Sequence, residues 1–150
     1  MGYRTDFHIV VNNYDPNNSV QFLIIGGVTH DDEFGTNPVN KFDVWKSSFT
    51  YKLRTNTTSS KESKYTVASI NFTRQTADLT GGRGGSSSKV LGAVYSNYLK
   101  AYLALVSNIG GRTELFYSTD GITWNPLIST YLGSSGLPNY VEPPAFIQYG

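Results

Sequence analysis

The stretch Tyr-Ser-Thr-Asp-Gly-Ile-Thr-Trp, residues 117–124, decides the fold class of this 150-residue chain. Its Asp120-Gly121 pair suits the positive φ angles of a tight turn between two strands. The flanking segments 112–117 and 122–128 are rich in Thr, Phe, Tyr and Trp, which favour β-strands. The sequence therefore predicts a β-hairpin here, with Trp124 packed in the core to fasten it.

Strand signals recur along the rest of the chain. Residues 49–54 alternate apolar and polar side chains, which is typical of a half-buried antiparallel strand. A cluster of turn-forming residues at 13–18 separates two apolar segments, which predicts a central hairpin. The predicted strands cover residues 6–12, 19–27, 41–46, 49–54, 64–74, 89–96, 101–107, 112–118 and 122–128. We therefore predict an all-β fold of about eight or nine short strands, as an antiparallel sandwich or barrel or a propeller-like meander.

One segment leaves two interpretations open. Residues 98–105 contain good helix formers. One face of a short helix would be formed by Tyr98, Leu99, Tyr102 and Leu103. A strand is the preferred interpretation, because Asn108-Ile109-Gly110-Gly111 follows as a natural hairpin turn.

The less regular segments predict loops and a tail. Residues 55–63 and 81–88 are rich in small polar side chains, so we predict loops that do not pack. Residues 133–150 contain three prolines and are predicted to form an extended tail, because proline cannot donate a ladder hydrogen bond. At this length, residues 1–150 are predicted to form a single all-β domain that ends in this tail.

The composition excludes several classes of function. The chain has no cysteine, so thiolate metal sites and cysteine nucleophiles are impossible. No apolar run approaches the ~20 residues of a membrane-spanning helix, and the first residues lack the apolar region of a signal peptide. A soluble protein without membrane insertion is therefore expected.

The sequence predicts no catalytic or metal-binding machinery. It contains neither Gly-x-Ser-x-Gly nor His-Glu-x-x-His, and it has only two histidines. The densest set of potential metal ligands is the run from His30 to Glu33. Consecutive side chains of an extended loop point in different directions, so this run is predicted to be a solvated acidic loop. We therefore expect a protein that is not an enzyme and has no metal or cofactor.

Residues 118–124 carry the one family resemblance in the chain. They resemble the Asp-box of sialidase-like β-propellers and of many glycan-binding proteins, whose pattern is roughly Ser-x-Asp-x-Gly-x-Thr-Trp. This copy has one residue fewer between Asp120 and Gly121. In that family the box fastens a hairpin away from the catalytic site, so the resemblance implies architecture and a glycan-binding context more than an activity.

The composition favours binding of sugars. Aromatic residues make up 14% of the chain and charged residues only 15%. Sugar recognition needs aromatic faces for the C–H surface of a ring and nearby polar groups for its hydroxyls. The predicted sugar-binding residues are Trp45, Tyr95, Tyr98, Tyr102, Asn97, Asn108, Asp120 and Tyr131. We therefore predict a lectin-like homo-oligomer with glycans as its partners.

Two other classes compete with a lectin. A structural or assembly subunit, such as a phage or viral surface component, fits the low charge, the many small polar residues and the proline-rich tail. Residues 41–89 carry nine cations against three anions, which would attract an acidic partner. Nucleic acid is nevertheless not an expected partner, because the whole chain has a net charge of only +1.

Overall fold

The computed structural model describes residues 4–15, 19–30, 37–53, 65–127 and Leu137. Every regular element in these residues is a β-strand, so the predicted all-β fold is confirmed. The nine strands are β1 (Arg4–Thr5), β2 (His8–Asp15), β3 (Ser19–His30), β4 (Pro38–Leu53), β5 (Tyr65–Thr76), β6 (Val90–Ser96), β7 (Ala101–Ile109), β8 (Arg112–Ser118) and β9 (Asn125–Pro126).

The strands form two antiparallel sheets. The first sheet has five strands in the order β1-β3-β4-β5, and β2 also pairs with β3. The second sheet has four strands in the order β6-β7-β8-β9. Within the described residues neither sheet closes into a barrel. The two sheets pack on a shared core, so the architecture is that of a sandwich built from meanders.

The core lies between the two sheets. Leu23, Ile25 and Val44 of the first sheet share one buried cluster with Val106 and Phe116 of the second. Ile25, Val44, Val106 and Phe116 each have no exposed surface. Burial of an apolar side chain contributes about 1.5–3 kcal/mol, so this cluster is the main interaction that holds the sheets together.

The long strand β4 corrects one prediction. The sequence predicted separate strands at 41–46 and 49–54, but β4 runs without interruption from Pro38 to Leu53. No glycine, proline or asparagine separates the two segments, and β3 pairs with β4 on both sides of Ser47. The continuous ladder overrides the local change of pattern.

The open choice at residues 98–105 is resolved in favour of a strand. Residues 97–100 form a turn, and β7 then begins at Ala101. The predicted hairpin that follows is present, because Ile109 pairs with Arg112 across Gly110 and Gly111. Both glycines have positive φ angles, of 57° and 79°, as a two-residue turn of this hand requires.

The predicted loop at residues 81–88 is present and mostly exposed, but hydrogen bonds order it and Ser88 packs, contrary to the prediction. The Asp78 carboxylate accepts hydrogen bonds from the backbone N–H groups of Thr80 and Gly82, at 2.8 Å each. Ser88 is fully buried, and its hydroxyl donates to the carbonyl oxygen of Asn108 at 2.9 Å. Side-chain acceptors thus order a segment that its composition alone marks as unstructured.

Two other predicted segments lie outside the described residues. Residues 55–63 are not described, and of the predicted tail at 133–150 only Leu137 is. Leu137 forms an isolated antiparallel bridge with Thr113 of β8.

Candidate functional site

The predicted hairpin at Asp120-Gly121 exists, but its loop is longer than a tight turn. Strands β8 and β9 pair through Phe116 with Pro126 and Tyr117 with Asn125, which leaves residues 119–124 as the loop. Gly121 has a φ of 75°. Of the predicted strand at 122–128, the described residues 122–127 contain only the two residues of β9.

The carboxylate of Asp120 organises this loop. Its Oδ1 accepts hydrogen bonds from the N–H groups of Ile122 and Thr123, at 2.8 Å each, and from the Ser118 hydroxyl at 2.9 Å. The backbone hydrogen bonds from Ile122 and Thr123 lower the pKa of Asp120 from its ordinary 3.8. Asp120 was predicted to bind sugar, but Oδ1 here already serves three donors of its own loop.

Trp124 and Gly121 fasten the loop to the core. Trp124 packs against the core cluster, as predicted, and its Nε1 donates to the carbonyl oxygen of Gly121 at 3.3 Å. A Cβ atom placed on Gly121 would lie 2.9 Å from Cδ1 of Leu23 in β3. The loop therefore closes one end of the space between the sheets.

Two of the predicted sugar-binding tyrosines belong to the same closed end. The rings of Tyr95 and Tyr102 meet edge to face with centroids 5.0 Å apart, and Tyr102 lies 6.5 Å from Trp124. Tyr102 is only 5% exposed and is part of the core cluster, and Tyr95 packs against that cluster. Their rings stabilise the sandwich and leave little surface for a sugar.

The other predicted residues are dispersed over the molecule. Asn97 and Tyr98 lie in the turn before β7, where Tyr98 is 90% exposed. Asn108, at the far end of β7, donates a hydrogen bond to the Ser87 hydroxyl. Trp45 lies on β4 of the first sheet and donates to Asp43 at 2.8 Å, while Tyr131 lies outside the described residues. The structure therefore does not bring the predicted set together in one site.

A different part of the molecule has the shape of a binding site. A cavity of about 350 Å³ lies where the two sheets meet, lined by residues 6–8, 27–28 and 89–91. These segments are the link from β1 into β2, the last third of β3 and the entry into β6. Small-ligand sites have volumes of about 300–1,000 Å³, so this cavity suits one small ligand or one unit of a larger one.

The polar groups of the cavity come from separate segments of the chain. Asp6 and Lys89 are exposed and supply a carboxylate and an ammonium group of opposite charge. His8 Nε2 lies 3.3 Å from the carbonyl oxygen of Val90, and this contact joins β2 to β6. A carbonyl oxygen only accepts hydrogen bonds, so Nε2 is the donor of the pair.

The apolar groups form the walls. Val90 and Leu91 are 7% and 2% exposed and form the buried side of the cavity. Phe7 is 38% exposed and presents an aromatic ring at the opening. An aromatic ring beside an acceptor and a cationic donor can bind a ligand that has an apolar face and several hydroxyl groups.

Special backbone conformations shape the opening. Asp6 has a φ of 52°, which is uncommon for a residue other than glycine. Gly27 has a φ of 105°, and a Cβ atom on it would lie 2.7 Å from the carbonyl oxygen of Thr5. Only glycine allows β1 to approach β3 so closely at this position, and that approach sets Asp6 and Phe7 beside the cavity.

No local pattern in the sequence marks this site. Asp6, Phe7 and His8 have the pattern of an ordinary strand, and Lys89 follows a loop that was predicted not to pack. The segments 6–8 and 27–28 lie about 60 to 80 positions before residues 89–91 and meet them only because β2 and β6 lie side by side in different sheets.

Comparison with known proteins supplies no function, so a functional assignment has to rest on the geometry of the cavity. No protein-family model matches the chain, and no curated protein or solved structure matches it either. Among the described residues no group of three or more acidic or histidine side chains is placed to hold a metal ion. The same residues contain no helix that is long and apolar enough to span a membrane.

Proposed function

We propose that the protein is a non-enzymatic, lectin-like protein that binds a glycan in the cavity between its two sheets. The observation that carries the proposal is the arrangement of Phe7, Asp6 and Lys89 around a cavity of about 350 Å³. The exposed ring of Phe7 would pack on the C–H face of one sugar ring. Asp6 would accept hydrogen bonds from the sugar hydroxyls, and Lys89 would donate to them.

The charges of the cavity favour one kind of glycan. Lys89 and Asp6 together are neutral, so the cavity gives no strong preference for a highly charged polymer. A neutral sugar, or one that carries both an acidic and a basic group, fits this pair best. The resemblance of residues 118–124 to the Asp-box is compatible with a glycan-binding role. It does not by itself indicate where a glycan would bind.

The proposal is tested on a glycan array, followed by calorimetric titration of the best ligand. We expect at least one sugar to bind and the Phe7→Ala variant to lose that binding. Absence of any binding sugar, or equal affinity in the Phe7→Ala variant, would contradict the proposal.

A second candidate function is that of an assembly subunit. The observation that favours it is the apolar surface of the first sheet, where Ile9, Val11, Ile70 and Phe72 are 49–56% exposed. Exposed apolar side chains that lie together on one face are typical of surfaces that contact another protein. This candidate and glycan binding are compatible, because the two surfaces use different residues.

A further inference from the structure

The first sheet has one face directed to the core and one directed outward. Val10, Leu23, Ile25 and Val44 are in the core, so their neighbours along each strand point the other way. The strand register aligns these outward residues in two rows across β2, β3, β4 and β5. The rows are Ile9, Ile24, Trp45 and Arg74, and then Val11, Phe22, Ser47 and Phe72.

The outer face consists of these two rows together with Ile70 of β5. It is mostly apolar, and its centre is buried. Ile24 is 4% exposed and Ser47 has no exposed surface, although neither belongs to the core cluster. Around them Ile9, Val11 and Phe72 remain 56%, 51% and 49% exposed. Atoms of the same chain therefore cover the centre, and the apolar surface that a partner could bury lies on the side chains around it.

We propose that the outer face is the contact surface between two copies of this chain in a symmetric dimer. The proposal names a surface and does not depend on glycan binding, because the cavity and the outer face are formed by different side chains. A two-fold dimer places the same patch of both copies in contact, so the patch has to be compatible with itself.

The size of the apolar patch fits this role. Ile9 and Val11 on β2 and Ile70 and Phe72 on β5, each about half exposed, together present on the order of 400 Å² of apolar surface, within the range of about 300–600 Å² for the largest patch of a typical monomer. A stable interface buries about 800 Å² on each partner, so these side chains would supply roughly half of it. Trp45, which is partly exposed between Ile24 and Arg74 in the first row, would add to the buried area.

The charges also favour a second copy as the occupant. Within the two described rows Arg74 is the only charged residue, and the lysine of this part of β4, Lys46, points to the opposite face. Next to the rows, Arg4 and Asp43 neutralise each other in an ion pair of 2.6 Å. Two copies of a face with one cation each meet with little repulsion, whereas an anionic membrane or a nucleic acid would require a cluster of cations there.

The test compares the mass in solution of the full chain with that of three variants, measured by light scattering over a range of concentrations. Phe72→Glu and Ile9→Glu place a charge on the outer face at opposite edges of the rows. Asn71→Glu is the matched control, because Asn71 is exposed and adjoins Phe72 on β5 but points to the other face. Far-UV circular dichroism verifies that each variant is folded. If one of the two outer-face variants does not fold, it is replaced by Val11→Thr, which keeps the side-chain shape.

We expect the wild-type chain to exceed its monomer mass of 16.5 kDa. Both outer-face variants should weaken the association at least tenfold, and Asn71→Glu should leave it unchanged. The proposal is overturned if the wild-type chain is a monomer at every concentration, since the face would then be open or covered by another part of the same chain. It is also overturned if either outer-face variant keeps the wild-type affinity, or if the control loses it.

Discussion

Arg4 and Asp43 form a two-point ion pair across the first sheet, with Nη1–Oδ1 and Nη2–Oδ2 distances of 2.6 and 2.9 Å. The side chains are 4% and 13% exposed. Arg4 also donates to the carbonyl oxygen of Gly26 at 2.7 Å, and Asp43 accepts from Trp45 Nε1. Because β1 and β4 flank β3, this pair connects three strands beside the outer face.

The first prediction concerns removal of one partner of this pair. Arg4→Met leaves the Asp43 carboxylate buried without its cation, and we expect a loss of about 3–5 kcal/mol in the free energy of unfolding. Denaturant titration measures it. The matched control is Arg83→Met, which breaks the exposed Arg83–Glu114 pair at 2.7 Å and should cost no more than about 1 kcal/mol. Equal losses in the two variants would show that burial does not distinguish the two pairs.

The second prediction concerns the acid side of the stability curve. Burial acts to raise the pKa of Asp43, but hydrogen bonds from Arg4 and Trp45 and the charge of Arg4 lower it below its ordinary 3.8. A lowered carboxyl pKa stabilises the fold above pH 3.8, and that contribution is lost as the pH falls from there through the folded-state pKa. Denaturant titrations at a series of pH values should therefore show decreasing stability below pH 3.8. Asp43→Asn should flatten this decrease, and an equally steep decrease in that variant would contradict the assignment.

The third prediction concerns the contact between Gly121 and Leu23. Gly121→Ala both strains a residue at a φ of 75° and places a Cβ 2.9 Å from the Leu23 side chain. Gly111 has a similar φ of 79°, and a Cβ atom added there would have no other atom within 4 Å, so Gly111→Ala reports the strain alone. We expect Gly121→Ala to lower the free energy of unfolding by about 1–3 kcal/mol more than Gly111→Ala. Similar losses would mean that the loop shifts to make room.

The fourth prediction distinguishes a glycan site in the cavity from a glycan site at the residues that the sequence analysis predicted. Phe7→Ala should weaken glycan binding at least tenfold without a change in thermal stability, because Phe7 is 38% exposed at the opening. Tyr98→Ala removes the more exposed ring, 90% exposed in the turn before β7, and should leave the affinity unchanged. Calorimetric titration measures both. Loss of binding in Tyr98→Ala alone would move the site to that turn.

Local sequence patterns predicted most of the strands and one complete turn. Gly110 and Gly111 are placed where a two-residue hairpin needs two positive φ angles, so β7 and β8 could be assigned from the residues alone. The aromatic and β-branched segments on either side allowed the strands to be predicted, because the alternation of side chains is a property of each strand itself. The ends of strands were predicted less well. The interruption predicted between residues 46 and 49 is absent, because pairing with β3 and β5 keeps β4 continuous.

The sequence alone therefore determined the all-β class and the hairpin at Gly110-Gly111, which depend on neighbours in the chain. Only the tertiary structure decided that Tyr102 is a core residue and that Asp6, Phe7 and Lys89 share a cavity. It also decided that Ile9 and Phe72, 63 positions apart in the numbering, lie on one face. The physical reason is that burial and proximity are set by which strands pair and how two sheets pack, and those are relations between distant segments that no local pattern encodes.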